Sequence, residues 1–279
     1  MLNSLLRLSA AGPIIHITSE PLFKFHGITI TNSILFSWVC SVVITLLLVG
    51  VALLARARPR GGFIQYVEIV TDFIVDLVES ALGDREKALY YAPYFVSMFF
   101  FIVFNNLFGL LPGVGEALTY HSLPLFRAFT ADLNGTLAVA VVAMGLVEYF
   151  AMRESGPLNH LKHFFNGSFK NPMTWLLGFF EIFSELTRVI SLALRLFLNI
   201  AIGEIIIAVF AYLGHVVAPI TALPFVILEI FVCLLQAYIF VMLTVMYLSV
   251  AIHHEDTPEG ITHPESLAPR EKSHTRSSA

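Results

Sequence analysis

MTWLLGFFEIFSELTRVISLALRLFLNIAIGEIIIAVFAYL, residues 173–213, is an apolar run with an arginine, Arg195, inside it. At 1.5 Å per residue its 41 residues make ~61 Å of helix, against a hydrocarbon core of ~30 Å. Spanned without a break, it would tilt about 60° from the membrane normal, beyond the usual limit of about 40°. Either part of the run lies outside the core, or it pairs with the apolar run 219–252 as a steeply inclined hairpin turning through GHVVAP, residues 214–219. The hairpin is the favoured reading. An arginine at the bilayer centre costs at least ~2.5–3.5 kcal/mol. It cannot escape by losing its proton, because its pKa lies above ~12. A permanent positive charge is wanted at that depth.

The rest of the chain agrees with a membrane setting. Of 279 residues, 57% are hydrophobic and 13% charged, whereas charged residues form about a quarter of a soluble domain. That excludes a soluble enzyme. Three further runs, 34–55, 93–111 and 134–152, are long enough to span, which gives about five transmembrane helices. The fold class is therefore all-α and integral to the membrane, read as one membrane domain over 1–279. It has an outer N-terminal segment (1–33) and a polar inner tail (253–279). The start, MLNSLLRLSAAGP, is too short in its apolar part for a cleaved secretory signal and reads as a short interfacial segment. Cys40 and Cys233 both lie in apolar runs and build neither a disulfide framework nor a metal cluster.

Residues 63–82 differ from the spans. Gln65, Glu68, Asp72, Asp76 and Glu79 form one polar stripe, with Tyr66, Val67, Val70, Phe73, Ile74 and Leu77 opposite. This is an amphipathic helix lying on the membrane or against a partner helix. With five spans, one side collects eleven of the sixteen lysines and arginines and the other collects Arg7, Lys24 and Arg127. The excess of positive charge sets that side inside, with the N-terminus outside.

Glu181, Glu185, Arg188, Leu192, Arg195 and Asn199 step by threes and fours and share one face of the long helix. Glu204, nine residues past Arg195, points about 180° away. If the hairpin turns about position 216.5, residues whose numbers sum to 433 are level. Glu204 and Glu229 meet that condition. Gln236 is level with Phe197, within a turn of Arg195. A carboxylate pair and an Arg–Gln level thus lie ~13 Å apart along the axis. Bland readings stand beside these. Glu181, Glu185 and Arg188 make a ladder of salt bridges that holds the helix, Phe99, Phe100, Phe101 and Phe104 serve packing or lipid contact, and Asn105 and Asn106 act as helix–helix glue. His253, His254, Glu255 and Asp256 resemble metal ligands by type but read as a solvated helix end.

SLALRLFLNIAIGE (191–204) followed by LQAYIFVMLTVMYLS (235–249) resembles the a subunit of F-type ATP synthases. NNLFGLLPG (105–113), TADLNGTLAVA (130–140) and PLFKFHGITITNSILFSW (21–38) resemble that family's other blocks, so the likeness covers about residues 20–252. The resemblance implies a stator beside a ring of c subunits, with a b-subunit peripheral stalk as a further partner. Two aqueous half-channels would carry an ion, expected to be H⁺, to and from the ring carboxylates. Arg195 matches the family's essential arginine, Gln236 the glutamine near it, and Glu204 and Glu229 the outer half-channel pair. Asn199 and Asn106 match polar positions beside the route, and Ser191 and Glu181 positions facing the inner exit. Two departures stand out: glutamate at 229 where some members carry histidine, and Gly109 where some carry an acid.

No phosphate-cradling loop is present, so direct ATP binding is not expected. Neither is a cofactor or a nucleic-acid partner. The rival readings are a secondary transporter with a midplane substrate, which lacks support from any internal repeat, and a membrane scaffold, which would not need Arg195, Glu204 and Glu229 together. Long charged inner loops favour a bacterial plasma membrane.

Overall fold

The computed structural model describes residues 21–25, 28–57, 62–111, 119–120, 123–124, 127–156, 172–214 and 217–256. The expectations for residues 1–20 and for the tail beyond 256 lie outside them. A small antiparallel hairpin, β1 (Pro21–Phe25) and β2 (Ile28–Thr31), leads directly into α1 (Asn32–Ala57). Then follow α2 (Gly62–Leu82), α3 (Arg85–Gly109), the short ladder β3 (Thr119–Tyr120) with β4 (Leu123–Pro124), and a 3-10 turn at Phe129–Ala131. The chain ends in α4 (Leu133–Ser155), α5 (Pro172–Gly214) and α6 (Ala218–Asp256). Five helices are long and apolar enough to cross a membrane: residues Asn32–Ala55, Arg85–Gly109, Leu133–Glu154, Gly178–Gly214 and Ala218–Ile252.

Local chemistry sets the corners. Gly83, at φ +71°, takes the left-handed conformation that closes α2, and its N–H bonds Glu79 O at 2.8 Å. Asp84 then caps α3, accepting from Glu86 N at 2.8 Å. At the far end Asp132 caps α4 by accepting from Asn134 N at 3.0 Å, and its other oxygen accepts from the buried Ser33 at 2.7 Å. One carboxylate therefore fixes both the start of α4 and its position against α1.

α5 and α6 run for 43 and 39 residues without a break and pack together along their length. Pro224 lies in the second turn of α6, where few backbone bonds are lost, and the helix continues four residues past Ile252. The turn end is clasped. Phe210 and Phe225 stack with ring centroids 3.8 Å apart, and the Thr221 hydroxyl donates to Phe210 O at 2.9 Å. Further down, Leu192, Ala193 and Leu196 share a buried cluster with Ala237 and Phe240, joined by Ile102 and Val103 of α3 and Ala140, Ala143 and Met144 of α4. In lipid no hydrophobic force draws helices together, so close approach through small residues such as these alanines carries the packing.

α2 meets the bundle along part of its apolar face. It buries Ile74, Val78 and Leu82 against α3, α4 and α6 and lays Phe73 on the Tyr238 ring of α6, with centroids 5.6 Å apart, while Tyr66 is 72% exposed. The tight corner at Gly83 lays only the C-terminal half of α2 on the bundle, and the Ser249 hydroxyl bonds Ala81 O there at 2.6 Å. The aromatics of α3 pack as expected, Phe100 buried and Phe101 and Phe104 against Phe36, Cys40 and Ile44 of α1. The asparagines do not act as interhelical glue. Asn105 donates to Phe101 O of its own helix, and both side-chain polar atoms of the buried Asn106 make no hydrogen bond among the described residues.

Candidate functional site

The hairpin register places the polar residues. Ala193 with Phe240, Leu196 with Ala237, and Ile200 with Cys233 each sum to 433 and each share a buried cluster. Glu204 and Glu229 are therefore level, and the two carboxylates interact electrostatically. Glu229 is 7% exposed although charged in type, and its carboxylate lies directly on the backbone of Gly203: a β-carbon there would sit 2.2 Å from it. Glycine at 203 thus makes room for the carboxylate pair. The Cys233 thiol donates to Glu229 Oε1 at 3.9 Å from one turn along α6.

Arg195 occupies a second level, at the border between two surfaces of α5. On one side are the buried Leu192, Leu196 and Ile200. On the other, Ile190, Leu194, Leu198, Ile202 and Ile206 form an exposed stripe at intervals of four. Arg195 NH1, Asn199 Nδ2 and Gln236 Nε2 are buried and make no hydrogen bond among the described residues. Two donors from adjacent turns of α5 and one from α6 are thus desolvated, a costly state unless an acceptor from another chain meets them. Ser191 is exposed one turn below Arg195, and Glu181 is half-buried about 21 Å below it along the helix. The other acid and base of the stripe are accounted for locally. Glu185 pairs with Arg188, whose guanidinium lies over the Tyr247 ring at 5.3 Å from its centroid.

Four elements converge on the carboxylate level. Leu110 at the end of α3, Ala128 and Ala131 of the 3-10 turn, Ile200 of α5 and Cys233 of α6 form one cluster. Asn106 and Thr130 are buried nearby on α3 and the turn, and the Thr130 hydroxyl has no hydrogen-bond partner among the described residues. Gly109 has a steric reason: a β-carbon on it would lie 2.7 Å from Ala128 Cβ, so any side chain there would lift the turn off α3. The sequence reading missed Arg127, whose guanidinium lies within charge–charge range of Glu204. It belongs to a loop 77 positions away, and no periodicity links a loop to a helix. Its place just ahead of TADLNG was the only available signal. Among the described residues no three His, Cys, Asp or Glu side chains converge on a point that would hold a metal ion.

The family model for the ATP synthase A chain matches residues 34–249, a stretch that contains both polar levels and every membrane helix but the ends. The chain belongs to the ATP synthase A chain family. Among its relatives, ATP synthase subunit a of Bdellovibrio bacteriovorus is 33% identical over 190 residues, covering 67% of this chain and 74% of that one. ATP synthase subunit a of Chloroherpeton thalassium is 27% identical over 257 residues, 87% of this chain and 72% of that one. ATP synthase subunit a 1 of Syntrophotalea carbinolica is 33% identical over 216 residues, 75% of this chain and 82% of that one. As a member of the A chain family, the protein is the proton-conducting stator subunit of an F-type ATP synthase, integral to the membrane.

Proposed function

We propose that Glu204 and Glu229 are the relay of an outer half-channel, and that Arg195, with Asn199 and Gln236, separates it from an inner one. The observation that carries this reading is the pair of buried polar levels on one hairpin, one acidic and one basic, set ~13 Å apart along its axis. A proton entering from outside reaches the carboxylate pair and passes to a carboxylate of the c ring. The ring turns, and the proton leaves past Ser191 and Glu181 on the inner side. Between the half-channels the ring carboxylate must stay ionised, or protons would slip through without rotation. A fixed cation favours the charged form, and arginine serves because it does not release its own proton. The same charge repels H⁺ and blocks direct leakage. The available drive is ~2.3 kcal/mol per charge for each 100 mV.

The c ring would lie on the exposed stripe Ile190 to Ile206, which brings its carboxylate beside the buried donors of Arg195, Asn199 and Gln236. A b-subunit stalk completes the stator. The charge asymmetry of the loops supports an N-terminus outside a bacterial plasma membrane and a C-terminus in the cytoplasm. A cysteine cross-link tests the placement. With Cys40 and Cys233 replaced, Ser191→Cys or Leu198→Cys is paired with cysteines beside the ring carboxylate of the copurified c subunit. A disulfide that stops proton-driven ATP synthesis until it is reduced is expected. No cross-link at either position, with both chains assembled, would move the ring to another face.

A further inference from the structure

The loop ahead of α4 brings a cation within charge–charge range of Glu204. Ala128 and Ala131 are buried with Ile200, one turn before Glu204 on α5, and with Cys233, one turn after Glu229 on α6. The 3-10 turn therefore rests on the hairpin at the depth of the two carboxylates. Arg127 precedes it, half-buried, with a guanidinium nitrogen donating to Ala131 O at 3.4 Å across the turn. The turn is held from three sides: Gly109 packs on Ala128, Phe101 packs edge-on against Phe129, and Asp132 binds Ser33. Arg127, whose charge lies within range of Glu204, is thus carried on a fixed support.

We propose that Arg127 is a positioning residue of the outer relay: it anchors the Glu204 carboxylate and sets the charge of the pair so that it holds one transferable proton. The proposal rests on the reading of Glu204 and Glu229 as that relay. The count is simple. Two carboxylates and one guanidinium carry a net charge of minus one when both acids are ionised, and one bound proton brings them to neutrality. Uncompensated charge is expensive at this depth, so the group favours the one-proton state. That state has one occupied and one open carboxylate, which is what a relay needs to accept one proton as it passes another. Without the guanidinium, neutrality needs two protons, both acids are filled, and an incoming proton finds no acceptor.

The test uses the whole complex in proteoliposomes, reading the initial rate of ATP-driven acidification per unit of assembled complex. Arg127→Gln, Arg127→Lys, Glu204→Gln and the double variant Arg127→Gln/Glu204→Gln are compared. Arg127→Gln is expected to slow pumping about tenfold, Arg127→Lys to stay within about twofold of the parent, and Arg127→Gln to add nothing in the Glu204→Gln background. Parental pumping by Arg127→Gln while Glu204→Gln is slow would overturn this proposal alone. So would an undiminished effect of Arg127→Gln on top of Glu204→Gln, or a lysine variant as slow as the glutamine one. Parental pumping by Glu204→Gln would overturn the relay itself. If Arg127→Gln fails to assemble with the c subunit, Arg127→Met, which keeps the apolar stem on the turn, replaces it. Failure of both neutral variants to assemble would make Arg127 a pin of the fold and overturn the proposal.

Discussion

Arg195 NH1 is buried without an acceptor among the described residues, on a helix border that faces outward. Its removal should abolish coupled function. Arg195→Ala is expected to drop proton-driven ATP synthesis to background with the complex assembled, and surviving coupled pumping would refute its role. Arg195→Lys should fail as well, since an ammonium in this setting gives up its proton far more readily than a guanidinium. Gly203 is the subtler case. With only 2.2 Å between a β-carbon at 203 and the Glu229 carboxyl, Gly203→Ala must displace the carboxylate or part the helices. Slower ATP-driven acidification at normal subunit content is expected, and an unchanged rate would show that Glu229 can move freely. The levels of Arg195, Glu204, Glu229 and Gln236 could be read from the sequence because helical period and hairpin symmetry together fix depth. Arg127 and Gly109 could not, because their meaning lies in how a loop of irregular backbone settles on helices far away in the chain.

Among the elements, the α3–α4 pair shows how an interface near the membrane edge is held. The buried Tyr91 donates to Glu154 at 2.5 Å, Lys87 pairs with the same carboxylate at 3.3 Å, and Phe150 packs on the tyrosine ring with centroids 4.8 Å apart. Tyr91→Phe keeps the ring and loses a hydrogen bond to a charged acceptor, an interaction of about 1.5–3 kcal/mol that partial exposure of Glu154 places at the low end. A lower thermal midpoint for dissociation of the purified complex is expected, and an unshifted midpoint would mean that Lys87 alone satisfies Glu154. The long hairpin was legible down to its register because one apolar run was too long for a single crossing and the next began six residues later. The orientation of α2 was not. Its apolar residues spread over more than half its circumference, so the pattern alone does not choose which of them the bundle covers.

For the whole molecule, the five spans put the ends of α2 and α4, with Arg85, Lys87 and Arg153, on one side. Ser80 is exposed at that end, on the helix that hugs the bundle through Ser249. In a background without native cysteines, Ser80→Cys is expected to react with a membrane-impermeant thiol reagent in inverted vesicles and to resist it in right-side-out ones. The opposite pattern would invert the topology.

The clasped turn of the hairpin bears on biogenesis. Phe210 stacks on Phe225 and Thr221 ties back to Phe210 O, all within eleven residues of chain on either side of the turn. These contacts are local and can form as soon as the turn has been synthesised. Helices aligned in this way before insertion would carry Glu204 and Glu229 across the hydrocarbon side by side. Two carboxylates inserted one after the other each face oil alone, whereas a nascent hairpin already in register offers each of them a polar companion. The turn of the hairpin is then the part that lets the acidic residues reach their depth at all.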